Sequence, residues 1–219
     1  MESPRTFEDL AILYAYVSAK IEGNSYGLSG AAALLKYGIT ERRLLSEALM
    51  LRNTEAALRW VTAKAKTEEV LSETFLCRLH AVACGQMRPE AVKDAGTLSG
   101  LLEQVRKAAD PFEQAARIHC ALISQPIFGK ANDRTARLMQ TAVLVEHGMM
   151  PLFFEEDEIT EYLAAVQAFR ERGNGRKYAA FFLKAYKRTI DRLLRRGDEF
   201  ETDIREDAER IRAYRSRKV

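Results

Sequence analysis

The stretch Phe128-Gly129-Lys130-Ala131-Asn132-Asp133-Arg134-Thr135-Ala136-Arg137 holds the residue types best spaced for chemistry. A short loop that turns into a helix leaves its first backbone N–H groups unpaired at the positive end of the helix dipole. That end is a natural seat for phosphate. Arg134 and Arg137 are three apart, so both lean over one helix face, and each guanidinium matches a pair of phosphate oxygens. Lys130 adds a cation to the loop, and Asn132 is suited to pin the loop through its own backbone. Lys130, Asn132, Arg134 and Arg137 are therefore the candidate phosphate or nucleotide grip. On these residues alone, a capped core helix with two surface arginines accounts for the stretch as well. Histidine, the usual base near neutral pH, occurs only at His80, His119 and His147. His119 lies two helical turns before Pro126, which places it in the core and not at the loop.

A wider set of residues narrows the reading. Asp110-Pro111-Phe112-Glu113-Gln114-Ala115, then His119, Phe128 and Ala131-Asn132-x-Arg134-Thr135-Ala136-Arg137 resemble the core of the Fic/Doc family. The family pattern, His-x-Phe-x-Asp/Glu-Gly/Ala-Asn-Gly/Lys-Arg-x-x-Arg, aligns without a gap and ends on Arg137. Far upstream, Ser18-Ala19-Lys20-Ile21-Glu22-Gly23-Asn24 resembles the family's inhibitory motif, Ser/Thr-x-x-x-Glu-Gly/Asn, and marks Ser18, Glu22 and Asn24. Asn53, Ala57 and Leu79-His80 ahead of Gly85 also match family positions. The resemblance spans roughly residues 7–185. Gly173-Asn174-Gly175-Arg176 repeats the middle of the motif without its flanks and reads as a turn.

The resemblance implies an all-α Fic-fold helical bundle whose inhibitory helix precedes the core. It implies AMP transfer from ATP to a protein hydroxyl. The motif histidine takes the hydroxyl proton, an acidic residue holds Mg²⁺, and the loop amides and first arginine hold phosphates. The last arginine holds the γ-phosphate, and the inhibitory glutamate pairs with it. This chain departs from that pattern in three places. The histidine position is Pro126, so a base worth about 10²–10⁴ in rate is missing, and no catalytic residue is assigned. The acidic position is Lys130, a cation that repels Mg²⁺, so no metal site is expected. The Gly/Lys position is Asp133, a negative charge beside amides meant for phosphate. The family's target-docking flap also looks shortened, since only Met87 to Gly100 is available for a vestigial β-hairpin.

The expectation is thus a degenerate member of the family that binds ATP or another nucleotide, or an unknown protein partner, without ordinary AMP transfer. The alternative is an active nucleotidyl or phosphoryl transferase with histidine-independent chemistry. A further alternative is nucleic-acid binding through the basic residues Arg210, Arg212, Arg215, Arg217 and Lys218, which otherwise read as a solvated helix face.

Helices must position all of this. Leu10, Leu13, Tyr14, Val17 and Ile21 mark one face of a helix that stops at Gly23-Asn24. Leu28–Tyr37 is a short helix closed by Gly38. Thr40 caps a predicted helix over 41–65, with Leu44, Leu45, Ala48, Leu51, Leu58 and Val61 inward. A helix opening at Thr67 or Glu68 runs to about Ala83, and 85–100 reads as loop or hairpin. Helices over 101–109, from Asp110-Pro111 to near Pro126, and from Ala131 or Asn132 to His147 follow. Helices over 156–172, 177–195 and 198–217 complete the set. The domain expectation is a single unit over 1–188, with its inhibitory helix at about 7–22 and core motif at 126–137. A charged C-terminal helix over 189–219 follows it.

With 34 Lys/Arg against 31 Asp/Glu in 219 residues, the net charge is +3, too small for a bulk polyanion binder. Residues 187–219 carry 11 of the basic and 8 of the acidic residues, so the surplus sits there. No apolar run of membrane-spanning length and no signal segment is visible, which sets a cytoplasmic expectation. Cys77, Cys84 and Cys120 read as reduced core thiols. Met149, Met150, Leu152 and Phe153 are expected to contribute to a contact surface.

Overall fold

The structure, a computed structural model, describes residues 7–89, 95–108, 110–173 and 175–196. Among the described residues every regular element is helical: α1 (Phe7–Ile21), α2 (Leu28–Tyr37), α3 (Leu45–Lys64), α4 (Glu73–Cys84), α5 (Ala95–Arg106), α6 (Pro111–Ser124), α7 (Asn132–Glu146), α8 (Ile159–Arg172) and α9 (Gly175–Arg196). A single 3-10 turn, Glu156–Glu158, leads into α8. None of these helices is long and apolar enough to cross a membrane.

The bundle is built around α7, whose side chains from Arg134 to Val145 are all buried. α6 packs along it, α3 and α4 flank it, α1 lies on α3, and α9 covers α6 from the other side with α8 beside it. A helix buried on all sides carries no polar face, and that fits the Ala, Leu, Met and Val run of α7. The two arginines in its first turns are therefore an exception to the rule that guanidinium groups stay near water.

Local signals explain most boundaries. The Asp110 side chain accepts from the backbone N–H groups of Phe112 and Glu113, and Pro111 follows in the first turn. Ser72 caps α4 by accepting from Phe75 N. Gly85 ends α4 in the left-handed region at φ 69°, with the Asn53 amide packed where any β-carbon would stand.

Several expectations need correction. α3 begins at Leu45 and not after Thr40, and Leu44 and Leu45 are exposed, not buried. The Glu41 side chain instead lies against Gly30 of α2, and Arg43 N bonds Glu41 O, so residues 41–44 form a separate turn. α4 starts at Glu73, capped by Ser72 and not opened by Thr67 or Glu68, because Val70 and Leu71 are drawn into the core ahead of it. The flap is not a hairpin where it is described: Ala95–Gly100 is the first half of α5, with Leu98 buried. Residues 90–94 of that stretch lie outside the described residues. Met149, Met150, Leu152 and Phe153 are buried, because the Phe153 ring meets Tyr14 of α1 and its carbonyl accepts from Thr189 and Arg192 of α9. α9 runs unbroken through position 189, and the predicted helix over 198–217 lies outside the described residues.

Candidate functional site

Two helix ends from opposite parts of the chain meet at this site. The last turn of α1 brings Ser18, the residue just after it is Glu22, and the first two turns of α7 bring Arg134 and Arg137. Glu22 Oε1 lies 2.6 Å from Arg137 Nη2, and Glu22 Oε2 lies 2.8 Å from Arg134 Nη2. Arg134 Nε also donates to Glu22 Oε1 at 3.3 Å. One carboxylate thus bridges both guanidinium groups. Each arginine has a second anchor. Arg134 Nη1 donates to the Ala83 carbonyl at the end of α4 (3.0 Å), and Arg137 donates through Nε to Ser18 Oγ (3.0 Å) and through Nη2 to the Ser18 carbonyl (3.1 Å). The two arginines are buried and not surface groups, which removes the bland reading of the sequence.

The electrostatics follow from this geometry. Burial raises the Glu22 carboxyl pKa, but the hydrogen bonds and positive charges of Arg134 and Arg137 outweigh it and hold it below the usual value. Burial works against the Arg137 charge, while Tyr162 and Glu22 more than offset it, so the guanidinium is held above its ordinary value. Asn24, the third residue of the upstream motif, does not touch the arginines. Its Oδ1 accepts from Tyr26 N at 3.0 Å and its Nδ2 donates to the Glu47 carbonyl at 3.0 Å, which fixes the turn after α1 against α3.

The loop between α6 and α7 is stapled at both ends. Asn132 Nδ2 donates to the Leu122 carbonyl (2.7 Å) and its Oδ1 accepts from Phe128 N (3.4 Å). The Phe128 ring stacks on His80 of α4 at 3.7 Å between centroids, with the planes 6° apart. His80 Nδ1 in turn meets Thr135 Oγ1 at 3.1 Å. Ala131, just before α7, has φ 51°, the left-handed region a β-carbon disfavours. α7 begins at the next residue, and no side chain of Ala131 caps its first backbone N–H groups.

Pro126 and Lys130 are exposed on the loop. Asp133 does not sit idle beside the amides; it pairs with Arg170 of α8 at 2.7 Å. A divalent cation does not fit this donor set. The position expected to supply a carboxylate is Lys130, and the first-turn carboxylate is engaged by an arginine. Among the described residues no group of three or more His, Cys, Asp or Glu is placed to hold a metal ion.

His119 is fully buried, stacked on Tyr178 at 4.3 Å, with Nε2 3.0 Å from the Tyr162 hydroxyl. Burial, with Arg137 and Arg170 nearby, pushes its pKa well below the ordinary value, so it stays neutral and structural. The structure brings Ser18, Glu22, Arg134 and Arg137 together, whereas the sequence reading paired Glu22 with Arg137 and gave Arg134 no share of that carboxylate. That reading also gave His80 no role at the loop; an aromatic at Phe128 and an unused histidine were the available signal.

The resemblance implied a pairing of Glu22 with Arg137 alone, and the structure holds that carboxylate against both guanidinium groups. Solved structures share the fold. The C. elegans Fic-1 structure superposes with a TM-score of 0.74 at 24% identity, covering 84% of this chain and 62% of that one. It has the Fic fold. A Fic domain containing signaling protein from Bacteroides thetaiotaomicron matches at a TM-score of 0.68 and 19% identity, over 89% of this chain and 90% of that one. By sequence, the Fic-fold chain is 24% identical over 216 residues to the protein adenylyltransferase fic-1 of Caenorhabditis briggsae. It is 26% identical over 219 residues to the protein adenylyltransferase Fic of Nematostella vectensis. These alignments cover 87% of this chain but 42% and 50% of those proteins, so the chain spans about half the length of the curated relatives it matches, or less. Relatives and structures together support a Fic family for the chain. No family model matches it.

Proposed function

We propose that this protein binds the phosphates of a nucleotide, ATP or a close relative, at the loop and first turn of α7, under the control of Glu22, and that it does not perform ordinary AMP transfer. The observation that carries this reading is the Glu22 bridge. The arginines hold, in their buried sockets, two carboxylate oxygens of their own chain in a geometry that suits phosphate oxygens equally well. Displacing the Glu22 side chain alone would leave Arg134 on the Ala83 carbonyl and Arg137 on Ser18, at the helix end that also carries the first α7 amides and Lys130. Ser18 belongs to the lock, because its hydroxyl and carbonyl hold Arg137 on the side of α1.

Pro126 supports the absence of ordinary transfer: a pyrrolidine ring accepts no proton, and the neutral, enclosed His119 does not reach the loop. Lys130 supplies charge to a bound phosphate in place of a metal, so nucleotide binding independent of Mg²⁺ belongs to the same reading. A partner protein recognised through the exposed loop, in a regulatory role, is compatible with it.

The test is calorimetric titration of wild type and Glu22→Gly with ATP, ADP and GTP, with and without Mg²⁺, alongside an AMP-transfer assay with labelled ATP. The reading expects tighter binding by Glu22→Gly, little dependence on Mg²⁺ and no labelling. Labelling that emerges in Glu22→Gly and disappears on adding Arg134→Ala would establish an active transferase instead.

A further inference from the structure

Beside Arg137 lies a cavity of about 10 Å³ between α1, α7 and the segment after α7, and Glu22 is not part of its lining. Tyr14, Ser18, Arg137 and Gln140 supply its polar wall, and Val17 and Leu152 are among its apolar lining. Three side-chain atoms on this wall are buried without a hydrogen-bond partner: Tyr14 Oη, Arg137 Nη1 and Gln140 Nε2. Their residues are all more than nine-tenths buried. Thr141 neighbours Tyr14, and Tyr162 neighbours Arg137, but neither closes a hydrogen bond of acceptable geometry onto those atoms.

Buried polar groups in folded proteins are nearly always partnered, and three orphans around one void ask for one ligand. The Gln140 amide is oriented by its other end, since Oε1 accepts from the Tyr178 hydroxyl at 3.0 Å and leaves Nε2, on a residue lining the void, without a partner. The wall therefore offers two N–H donors and one hydroxyl. One Glu22 carboxylate serves two guanidinium groups, so it is the size of the void, and not its charge, that selects the occupant. Its volume matches a single water, which takes about 10–15 Å³ and usually makes about three hydrogen bonds.

We propose that this cavity is a binding site for one water molecule, which completes the coordination of Arg137. The water oxygen accepts from Arg137 Nη1 and Gln140 Nε2, and one water hydrogen goes to Tyr14 Oη. With this water in place every N–H edge of the guanidinium is engaged: Nε by Ser18, Nη2 by Ser18 and Glu22, and Nη1 by the water. The site is part of the clamp between α1 and α7, because Tyr14 and Arg137 come from the two helices that Glu22 and Ser18 tie together. It exists whether or not a nucleotide binds at the loop and first turn of α7.

A crystal structure of the wild-type chain at a resolution that shows ordered solvent tests it directly. The expected result is one spherical peak within hydrogen-bond distance of all three atoms. In Gln140→Leu the peak is lost while the Glu22–Arg137 pair remains. A dry cavity in the wild type overturns the proposal. So does an anomalous peak at this position after bromide soaking, which would make the occupant a halide. Should Gln140→Leu fail to fold, Tyr14→Phe serves as the second variant. It removes one of three partners, so the expected outcome is a weakened or displaced peak, and an unchanged peak tells against the assigned hydrogen bonds.

Discussion

Replacing Glu22 by glutamine removes the charge that joins α1 to α7 while keeping the side chain's shape. Both arginine side chains are over nine-tenths buried, and Glu22 is itself only 21% exposed, so solvent does little to screen the loss. Breaking a buried pair by removing one partner's charge costs about 3–5 kcal/mol. The low end applies, because Arg134 keeps the Ala83 carbonyl and Arg137 keeps Ser18. A loss of about 3 kcal/mol in a domain of this size lowers the melting temperature by about 6–12 °C. Calorimetry and urea unfolding at pH 7 read that difference. The carboxyl's pKa is lowered in the folded state, so its contribution is fully present above the unfolded value of about 4.3 and fades as pH falls through the folded one. The gap between wild type and variant should therefore close in acid. A loss below about 1 kcal/mol at neutral pH, or a gap that persists unchanged into strong acid, would refute the idea that Glu22 locks the two arginines.

Three further outcomes are expected. Asp110→Ala should cost about 1 kcal/mol in denaturant unfolding, because the Phe112 and Glu113 amides lose their acceptor. Ala131→Gly should raise stability by about 0.5–1 kcal/mol, the relief of a left-handed alanine less the extra freedom of glycine in the unfolded chain, again read by urea titration. His119 is held neutral by burial with a pKa well below its ordinary value, so its contribution is complete above the unfolded value of about 6.5 and declines as pH falls below it. The wild type should lose about 1.4 kcal/mol per pH unit over that window relative to His119→Gln, and parallel profiles would contradict it.

How much of this was legible in the sequence depended on the range of the forces. Asp110-Pro111 and the closing glycines at 38, 85 and 173 set helix ends through contacts within a few residues, and each was readable. Thr40 carried an equally good local signal and failed, because Glu41 found a tertiary seat against Gly30 that no local pattern encodes. Met149 to Phe153 looked like a loose apolar loop, since its partners Tyr14 and Thr189 lie far off in both directions. At the site, the motif pointed to Glu22 and Arg137, but the share that Arg134 takes of the same carboxylate comes from the depth to which α1 docks. Spacing within α7 does not reveal that depth.

The stapled loop has a consequence of its own. Asn132 ties Phe128 to the end of α6 while the Phe128 ring rests on His80, so only Gly129, Lys130 and Ala131 lie between fixed points. Ordering a free residue costs about 1–2 kcal/mol in backbone entropy. Had the whole connection from Gln125 to Ala131 been loose, an arriving anion would have had to supply most of that ordering from its own contacts. Here folding has already met the cost, so an anion binding as proposed would meet a rigid receptor. Its selection would then rest on shape and charge, and not on how well it can organise a coil.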